Sequence, residues 1–173
     1  KMCIRDSYGT VVVGDLAQSP TAVTWGTPVV FNSSNTTYMS VGYAYNEGFV
    51  IAYNDQGATN SYVVGGNISG TTPSLGTAIT LVSGEKITYV SVINDGGNFA
   101  ICYRSSYNSI QGHYRVLEFS SGNNVTFVGT SYAFGESSAN NTYITAASNG
   151  YQTMIFSRDQ GNSNNAVSYT HLT

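Results

Sequence analysis

One histidine and one cysteine in the body of the chain have side chains suited to acid–base, nucleophilic or metal chemistry. His113 has no Ser, Cys or carboxylate at the spacing of a catalytic motif, so we expect an ordinary strand or surface histidine. Cys102 stands in an alternating strand pattern, which favours a small buried hydrophobic side chain. A single cysteine builds neither a disulfide framework nor a zinc site. The sequence therefore predicts no catalytic, cofactor-binding or metal-binding residue.

Both ends of the chain carry short segments that we set aside before predicting the fold. Met2–Ser7 resembles a translated transposon adapter of the kind used in sequencing libraries, and Val167–Leu172 resembles its translated reverse complement. These complementary matches favour non-native tails at 1–7 and 167–173, with native sequence at 8–166. We therefore expect a metagenomic reading frame that is cut at both ends. The tails would then account for Cys3, Arg5, Asp6 and His171.

The composition favours a β-rich globular protein with an uncharged polar surface. Hydrophobic residues make up 41% of the chain and aromatic residues 13%, while charged residues make up only 9%, well below the usual share. Aromatic and β-branched residues in this amount exclude a disordered chain. The formal net charge is −3 and basic residues form no cluster, so a nucleic-acid partner is disfavoured. No apolar run reaches the length of a membrane span.

Three similar stretches predict the fold. Each begins with Thr-Tyr and continues with alternating residues: Thr37–Val41, Thr88–Val92 and Thr142–Ala146. Their tyrosines, which are Tyr38, Tyr89 and Tyr143, lie 51 and 54 residues apart. A second apolar run follows each stretch after a turn, and its ends align as Tyr53, Tyr103 and Phe156. A strand–turn–strand unit is therefore used three times.

Four strand signals in each repeat are typical of a β-propeller blade, which is a four-stranded antiparallel sheet. In the second copy the strands are predicted near 74–82, 87–95, 97–106 and 112–121. Gly96 and Gly97 lie between two of them, where a tight hairpin needs positive φ. The sequence thus predicts an all-β propeller fragment of about three blades, near 22–69, 74–121 and 125–166. A strand near 10–17 would end a preceding blade.

Two turns share the pattern Asp-x-Gly, in Asp55 with Gly57 and in Asp159 with Gly161. In such turns the carboxylate accepts backbone N–H groups and the glycine takes a positive φ. The segment Ser157–Ser163 resembles the Asp box of sialidase-like propellers, although it lacks the closing aromatic residue. That resemblance implies a structural turn without a catalytic role. We disfavour a calcium loop, because Ca²⁺ takes several oxygen ligands and more than one carboxylate.

The likeness to sialidase-like propellers also implies a hydrolytic alternative. Sialidases use an arginine cluster with a tyrosine nucleophile, and other glycosidases use two carboxyl groups that face one sugar. Arg104 and Arg158 follow equivalent predicted strands, and Arg115 lies in a further strand. The three arginines could converge on an acidic sugar, or they could be separate solvated side chains, which is the interpretation that we favour.

Aromatic residues outside the repeated pattern are the candidate ligand contacts. We single out Trp25, Tyr45 and Tyr107, with Tyr43 and Tyr132 as further candidates. The three recurring tyrosines are expected to pack between blades instead, because they keep the period of the fold.

The Gly-, Ser-, Asn- and Thr-rich repeats also resemble blade repeats of phage tail fibres and bacterial surface proteins, in segments such as Val50–Asp55 and Gly65–Thr71. That resemblance implies an extracellular or virion-surface location. We expect a non-enzymatic binding or scaffold module that recognises a glycan or a protein through loops on a rigid frame. We expect no cofactor, and we expect the chain to self-associate through exposed blade faces. The alternatives are a piece of a hydrolytic propeller and a structural spacer.

Overall fold

The chain is built from β-strands in the parts that the structure describes. The structure is a computed structural model, and it describes residues 8–16, 22–44, 48–105, 111–120, 122–135, 140–160 and 165–172. In these ranges the backbone forms fifteen strands and no helix. The strands are β1 Tyr8–Val11, β2 Gly14–Leu16, β3 Val23–Trp25, β4 Val29–Tyr43, β5 Gly48–Asp55, β6 Ser61–Ser69, β7 Thr72–Leu75, β8 Ile79–Val82, β9 Ile87–Asp95, β10 Asn98–Ser105, β11 Gly112–Phe119, β12 Val125–Phe134, β13 Asn141–Ser148, β14 Gln152–Asp159 and β15 Asn165–Leu172.

Each repeat forms one antiparallel sheet. Sheet I contains the second half of β4 followed by β5 and β6, and both β7 and β8 pair with β6. Sheet II contains β9, β10, β11 and β12 in chain order. Sheet III contains β13, β14 and β15. The first half of β4 pairs with β1, and β2 pairs with β3, ahead of sheet I. The prediction of an all-β chain with repeated antiparallel sheets is confirmed.

The β9–β10 hairpin follows from its turn residues. Gly96 and Gly97 have φ values of 66° and 105°, which side chains with a Cβ atom rarely adopt. A Cβ atom on Gly96 would also lie 2.3 Å from the carbonyl oxygen of Gly150 in sheet III. The turn thus needs glycine both for its conformation and for close contact with the next sheet.

The core consists of apolar layers between successive sheets. Val50, Val63, Phe99, Ile101 and Leu117 are fully buried where sheet I meets sheet II. A second layer lies between sheets II and III and contains Ala100, Cys102, Tyr114, Ile144 and Ile155. Alternate residues of β10 thus contact opposite neighbours, because successive side chains of a strand point to opposite faces. Sheet II is covered on both faces, so β10 is apolar without alternation from Phe99 to Tyr103.

Cys102 is a buried core residue, as its strand pattern predicted. Its side chain is inaccessible to solvent, and burial raises the pKa of its thiol to about 12. The thiol therefore stays protonated and unreactive at neutral pH.

The recurring Thr-Tyr stretch inserts one extra residue into the first strand of each sheet. In sheet I, Thr37 pairs with Asn54 and Ser40 pairs with Ala52, so two residues of β4 face the single residue Tyr53. The same register shift occurs between Thr88 and Ser91 in β9 and between Thr142 and Thr145 in β13. Such an insertion is a β-bulge, which bends the strand and increases its twist.

The residue after each bulge connects neighbouring sheets. The Ser40 hydroxyl accepts a hydrogen bond from the backbone N–H of Val92, at 3.0 Å, and the Ser91 hydroxyl accepts one from the N–H of Ala146, at 3.2 Å. Gly42 permits this approach, because a Cβ atom there would lie 2.8 Å from the Val92 side chain. The strands β4, β9 and β13 therefore lie side by side, one from each sheet.

The sheets are offset by one strand from the predicted blade ranges. The sequence placed the segment 74–82 at the start of the second blade, whereas β8 pairs with β6 and completes sheet I. Likewise β12 pairs with β11 and completes sheet II. The outermost strands β8 and β12 each precede a Thr-Tyr stretch in sequence, which is why the sequence predicts them in the following blade. Their hydrogen bonds are instead made with the preceding strands β6 and β11.

The alignment of the third repeat also differs by one residue from the sequence-based alignment. Phe156 pairs with Thr145 as Cys102 pairs with Ser91, so Ser157, not Phe156, is the equivalent of Tyr103. Strand β15 includes the backbone of residues 167–172, which the sequence analysis assigned to an adapter-like tail.

We predict that the hydroxyl contact between first strands contributes measurably to stability. The Ser91→Ala variant leaves the Ala146 N–H without its acceptor, so the free energy of unfolding should fall by about 1–2 kcal/mol. Thr145→Val is the matched control, since Thr145 occupies the same position in sheet III and is exposed; its effect should stay within about 0.5 kcal/mol. Urea unfolding of both variants measures the difference, and equal effects would contradict the proposed contribution.

Candidate functional site

The candidate site is a row of three tyrosines on neighbouring sheets. This tyrosine row consists of Tyr38 in β4, Tyr89 in β9 and Tyr143 in β13. Tyr38 is 51% exposed and Tyr143 is 66% exposed, while Tyr89 is half-buried. The rings of Tyr89 and Tyr143 have centroids 5.4 Å apart. An aromatic surface thus extends across at least two sheets.

All three tyrosines have a strained backbone. Their φ values are 49°, 51° and 53°, and they are the only non-glycine residues with positive φ in the described part of the chain. A bulky residue in this region is a genuine outlier, at a cost of roughly 1–2 kcal/mol each. Glycine or asparagine would form the same bulge more easily. The aromatic side chain therefore has a role that the bulge alone does not explain.

Arg104 holds the middle of the tyrosine row in place. Its Cζ atom lies 5.0 Å from the centroid of the Tyr89 ring, within range of a cation–π contact. Its Nε atom donates to the Thr88 hydroxyl at 3.1 Å, and Nη1 donates to Oδ1 of Asn140 at 2.6 Å. Asn140 in turn donates to Gln160 at 2.8 Å. These contacts join the end of β10 to the beginning of β13 and fix the guanidinium beside the ring.

The equivalent position in sheet I makes the same connection with different chemistry. Asn54 is fully buried, donates to the carbonyl of Ile87 at 2.7 Å and accepts from the N–H of Ile87 at 3.0 Å. Lys86 donates to Gln56 at 2.7 Å, and Gln56 donates to the Thr37 hydroxyl next to Tyr38. Amide, hydroxyl and cationic groups therefore border the tyrosine row on sheets I and II.

The three arginines of the hydrolytic hypothesis do not converge. Arg104 extends toward sheet III, whereas Arg115 donates to the carbonyl of Leu81 in sheet I at 3.0 Å. These two guanidinium groups lie on opposite faces of sheet II. Arg158 occupies the position in sheet III that Arg104 occupies in sheet II, because it pairs with Thr142 as Arg104 pairs with Thr88.

The Asp-x-Gly turns are observed in part. The Asp55 carboxylate accepts the backbone N–H of Gly57 at 2.8 Å. The expectation of a positive φ at Gly57 is wrong, since Gly57 is not among the described glycines with positive φ. Asp159 is buried at the end of β14, and Gly161 lies outside the described residues.

The predicted aromatic contacts are not members of the tyrosine row, although Tyr43 lies on the same strand as Tyr38. Trp25 is 66% exposed on β3, in the two-stranded hairpin before sheet I. Tyr43 and Tyr132 are exposed on β4 and β12, and Tyr45 and Tyr107 lie outside the described residues. The repetition of the row tyrosines at the period of the fold predicts packing between blades, and the Tyr89–Tyr143 contact does lie between two sheets. The exposure of Tyr38 and Tyr143 depends on a register shift that sequence alone does not reveal.

His113 lies on strand β11, in agreement with the expectation of a strand or surface histidine, and it contacts other polar and aromatic side chains. Its ring is half-buried and stacks on the Tyr103 ring, with centroids 5.5 Å apart, and its Nδ1 atom lies 3.5 Å from the Ser131 hydroxyl. Burial lowers the pKa of His113 from its ordinary value of 6.5, and the Glu85 carboxylate opposes this effect. Arg115 lies on the same strand, so Tyr103, Glu85 and Arg115 are the titratable or charged groups around it.

Within the described ranges, no group of His, Cys, Asp and Glu side chains is arranged to hold a metal ion. The same part of the chain has no helix long and apolar enough to cross a membrane.

Comparison with known proteins supports the fold. The structure of a sialidase from Trypanosoma rangeli in complex with the inhibitor DANA aligns with 96% of this chain at a TM-score of 0.50 and 13% sequence identity. The chain spans about a third of that protein, 32% of its length. No protein-family model matches the chain, and no curated protein is similar to it in sequence. The sheet order and this likeness together show a β-propeller fragment in which sheets I, II and III are blades.

We predict that an aromatic side chain is not needed for the bulge at Tyr38. Tyr38→Asn should be as stable as the wild type or more stable, because asparagine tolerates positive φ. Tyr38→Val should be less stable than Tyr38→Asn by about 1–2 kcal/mol, because a β-branched residue does not tolerate positive φ. Denaturant unfolding of the two variants measures this difference, and a valine variant as stable as the asparagine variant would show that the bulge is not strained.

We also predict a pH dependence that originates at His113. The unfolded chain restores the ordinary pKa of His113, so below about pH 6.5 the unfolded state binds more protons than the folded state. Stability should therefore fall as the pH decreases, until the pH passes the lower pKa of the folded state. The His113→Gln variant should lose this part of the pH dependence of stability, as measured by urea unfolding at several pH values. If the variant and the wild type show the same dependence of stability on pH, the pKa of His113 does not differ between the folded and unfolded chains.

Proposed function

We propose that the chain is a non-enzymatic binding module that recognises a glycan through the tyrosine row. The observation that supports this proposal is that three tyrosines on adjacent blades share a strained backbone, while two of them remain more than half exposed. A large exposed aromatic row at an energetic cost is typical of a binding surface rather than of a core.

The chemistry around the row suits a sugar chain. Pyranose rings carry apolar C–H faces, which stack on tyrosine rings, and hydroxyl groups, which need both donors and acceptors at the edge. Thr88, Arg104 and Asn140 supply such groups beside Tyr89. Because the rings of Tyr89 and Tyr143 adjoin each other across two blades, the row favours an extended ligand. A secreted or virion-surface protein is the setting that we propose for this activity.

The alternative function is that of a hydrolytic propeller, and the described residues support it less than they support a binding module. The guanidinium groups of Arg104 and Arg115 lie on opposite faces of blade II, so they cannot clamp one acidic sugar. A shared propeller fold does not carry an activity with it.

A glycan array tests the proposal. The labelled protein should bind a subset of glycans, and replacing all three row tyrosines by asparagine should weaken that binding roughly tenfold or more, since buried tyrosine contacts at interfaces commonly contribute over 1 kcal/mol each. The matched control is Tyr151→Asn, which removes a tyrosine with 82% exposure from the turn between β13 and β14 and should leave binding unchanged.

The single variant Tyr38→Asn separates a loss of binding from a loss of folding, because it leaves the Arg104–Tyr89 contact intact. It should weaken binding without lowering stability. A wild-type protein that binds no glycan, or a triple variant that binds as well as the wild type, would refute the proposal.

A further inference from the structure

A cleft of about 360 Å³ lies between the outermost strand of blade I and the face of blade II. Its wall on blade I is formed by Leu81, Val82, Ser83 and Glu85. Its wall on blade II is formed by side chains from β10, β11 and β12, which are Tyr103, Ser105, His113, Arg115 and Ser131. The volume falls at the lower end of the range for small-molecule pockets. None of these residues belongs to the tyrosine row.

The cleft contains one acidic and one basic side chain, each held by neighbours. The Ser105 hydroxyl donates to the Glu85 carboxylate. The Arg115 guanidinium lies 3.5 Å from the centroid of the Phe127 ring and donates from Nη1 to the carbonyl of Leu81 at 3.0 Å. Both groups are half-buried. The cleft therefore carries two opposite charges, which are fixed in position and balanced in number.

Hydroxyl and imidazole groups complete the polar wall. The Tyr103 hydroxyl lies 3.3 Å from the Ser131 hydroxyl, which in turn lies 3.5 Å from Nδ1 of His113. Burial lowers the pKa of His113, so the imidazole is neutral at pH 7 and does not change the charge balance.

Comparison of repeats shows that the fold does not require these polar residues. In blade I the position of His113 is taken by Tyr62, which pairs with Tyr53 as His113 pairs with Tyr103. The position of Arg115 is taken by Val64, which is 2% exposed and pairs with Ile51. At the equivalent interface of blade I these positions take part in aromatic and apolar packing instead: the centroid of the Tyr53 ring lies 5.0 Å from that of Phe31 and 5.8 Å from that of Tyr62.

Placing arginine and histidine where an equivalent blade has valine and tyrosine is costly. Partial burial of a charged group costs free energy that apolar residues of similar size would not. The Nε atom of Arg115 and the Nε2 atom of His113 are also buried without a hydrogen-bond partner. Unpaired buried polar atoms are rare in folded proteins. The polar replacements thus lower stability and leave an open cleft, which favours a binding role.

The charges of the cleft restrict the class of ligand. An anion would be repelled by Glu85 and a cation by Arg115. A hydroxyl group both donates and accepts a hydrogen bond, so neighbouring hydroxyls on one small ring can use the carboxylate, the guanidinium and the serine hydroxyls together. Leu81, Val82 and Tyr103 supply apolar contact for the ring itself.

We propose that this cleft is a second, separate binding site, which takes a single uncharged sugar unit. Its occupant bridges blades I and II, with Glu85 as the acceptor and Arg115 as the donor for its hydroxyl groups. The site is independent of the tyrosine row.

The test uses the full chain with methyl α-glucoside, methyl β-galactoside, methyl α-mannoside and N-acetylglucosamine as probes, and with glycine and acetate as charged comparisons. Saturation-transfer NMR and titration calorimetry should detect weak binding of at least one sugar and no response to glycine or acetate. The double variant His113→Tyr/Arg115→Val, which copies blade I, should abolish that binding and fold at least as stably as the wild type.

A second variant keeps the shape of the cleft. Glu85→Gln retains an acceptor for Ser105 but removes the charge, and it should weaken sugar binding roughly tenfold. The row variant with three asparagines should leave cleft binding unchanged, so a failure of this site is distinguishable from a failure of the tyrosine row. The proposal is overturned if no sugar binds, if the double variant still binds, or if glycine or acetate binds instead.

Discussion

The contact between first strands organises the rest of this structure. In blades I and II one hydroxyl, from Ser40 or Ser91, accepts a backbone N–H from the first strand of the next blade. Backbone groups at such an interface must be paired, because leaving them buried and unpaired costs as much as a lost hydrogen bond. The contact fixes the distance and register between sheets, and the apolar layers between them then follow from strand alternation.

The bulge beside this contact connects packing with function. Because each first strand gains one residue before its serine or threonine, the preceding tyrosine takes a left-handed conformation. Bulges are known to redirect side chains. The same local feature that aligns the hydroxyl with the next blade therefore also places an aromatic ring at the surface, so the spacing of the tyrosine row is set by the spacing of the blades.

The sequence predicted the fold, whereas the two candidate sites depend on pairings between strands that local patterns do not encode. Strand alternation, turn glycines such as Gly96 and the repeat period depend on local chemistry, and they gave the number and kind of sheets. The pairing of β8 with β6 is a tertiary choice that no local pattern encodes. His113 and Arg115 had no motif partners in sequence, since Glu85 approaches them from the β8–β9 connection and Ser131 from β12. The strain at Tyr38 depends on a register shift that appears only when both strands are placed.

The uninterrupted strand β4 has a mechanical consequence. Its fifteen residues pair with β1 in the first half and with β5 in the second, so no loop separates the two sheets and they cannot hinge about this joint. The connection from β8 to β9 is different, because residues 83–86 are not in a strand and include Glu85. The connection between blades I and II can therefore bend in a way that the continuous strand β4 cannot, and this connection borders the cleft.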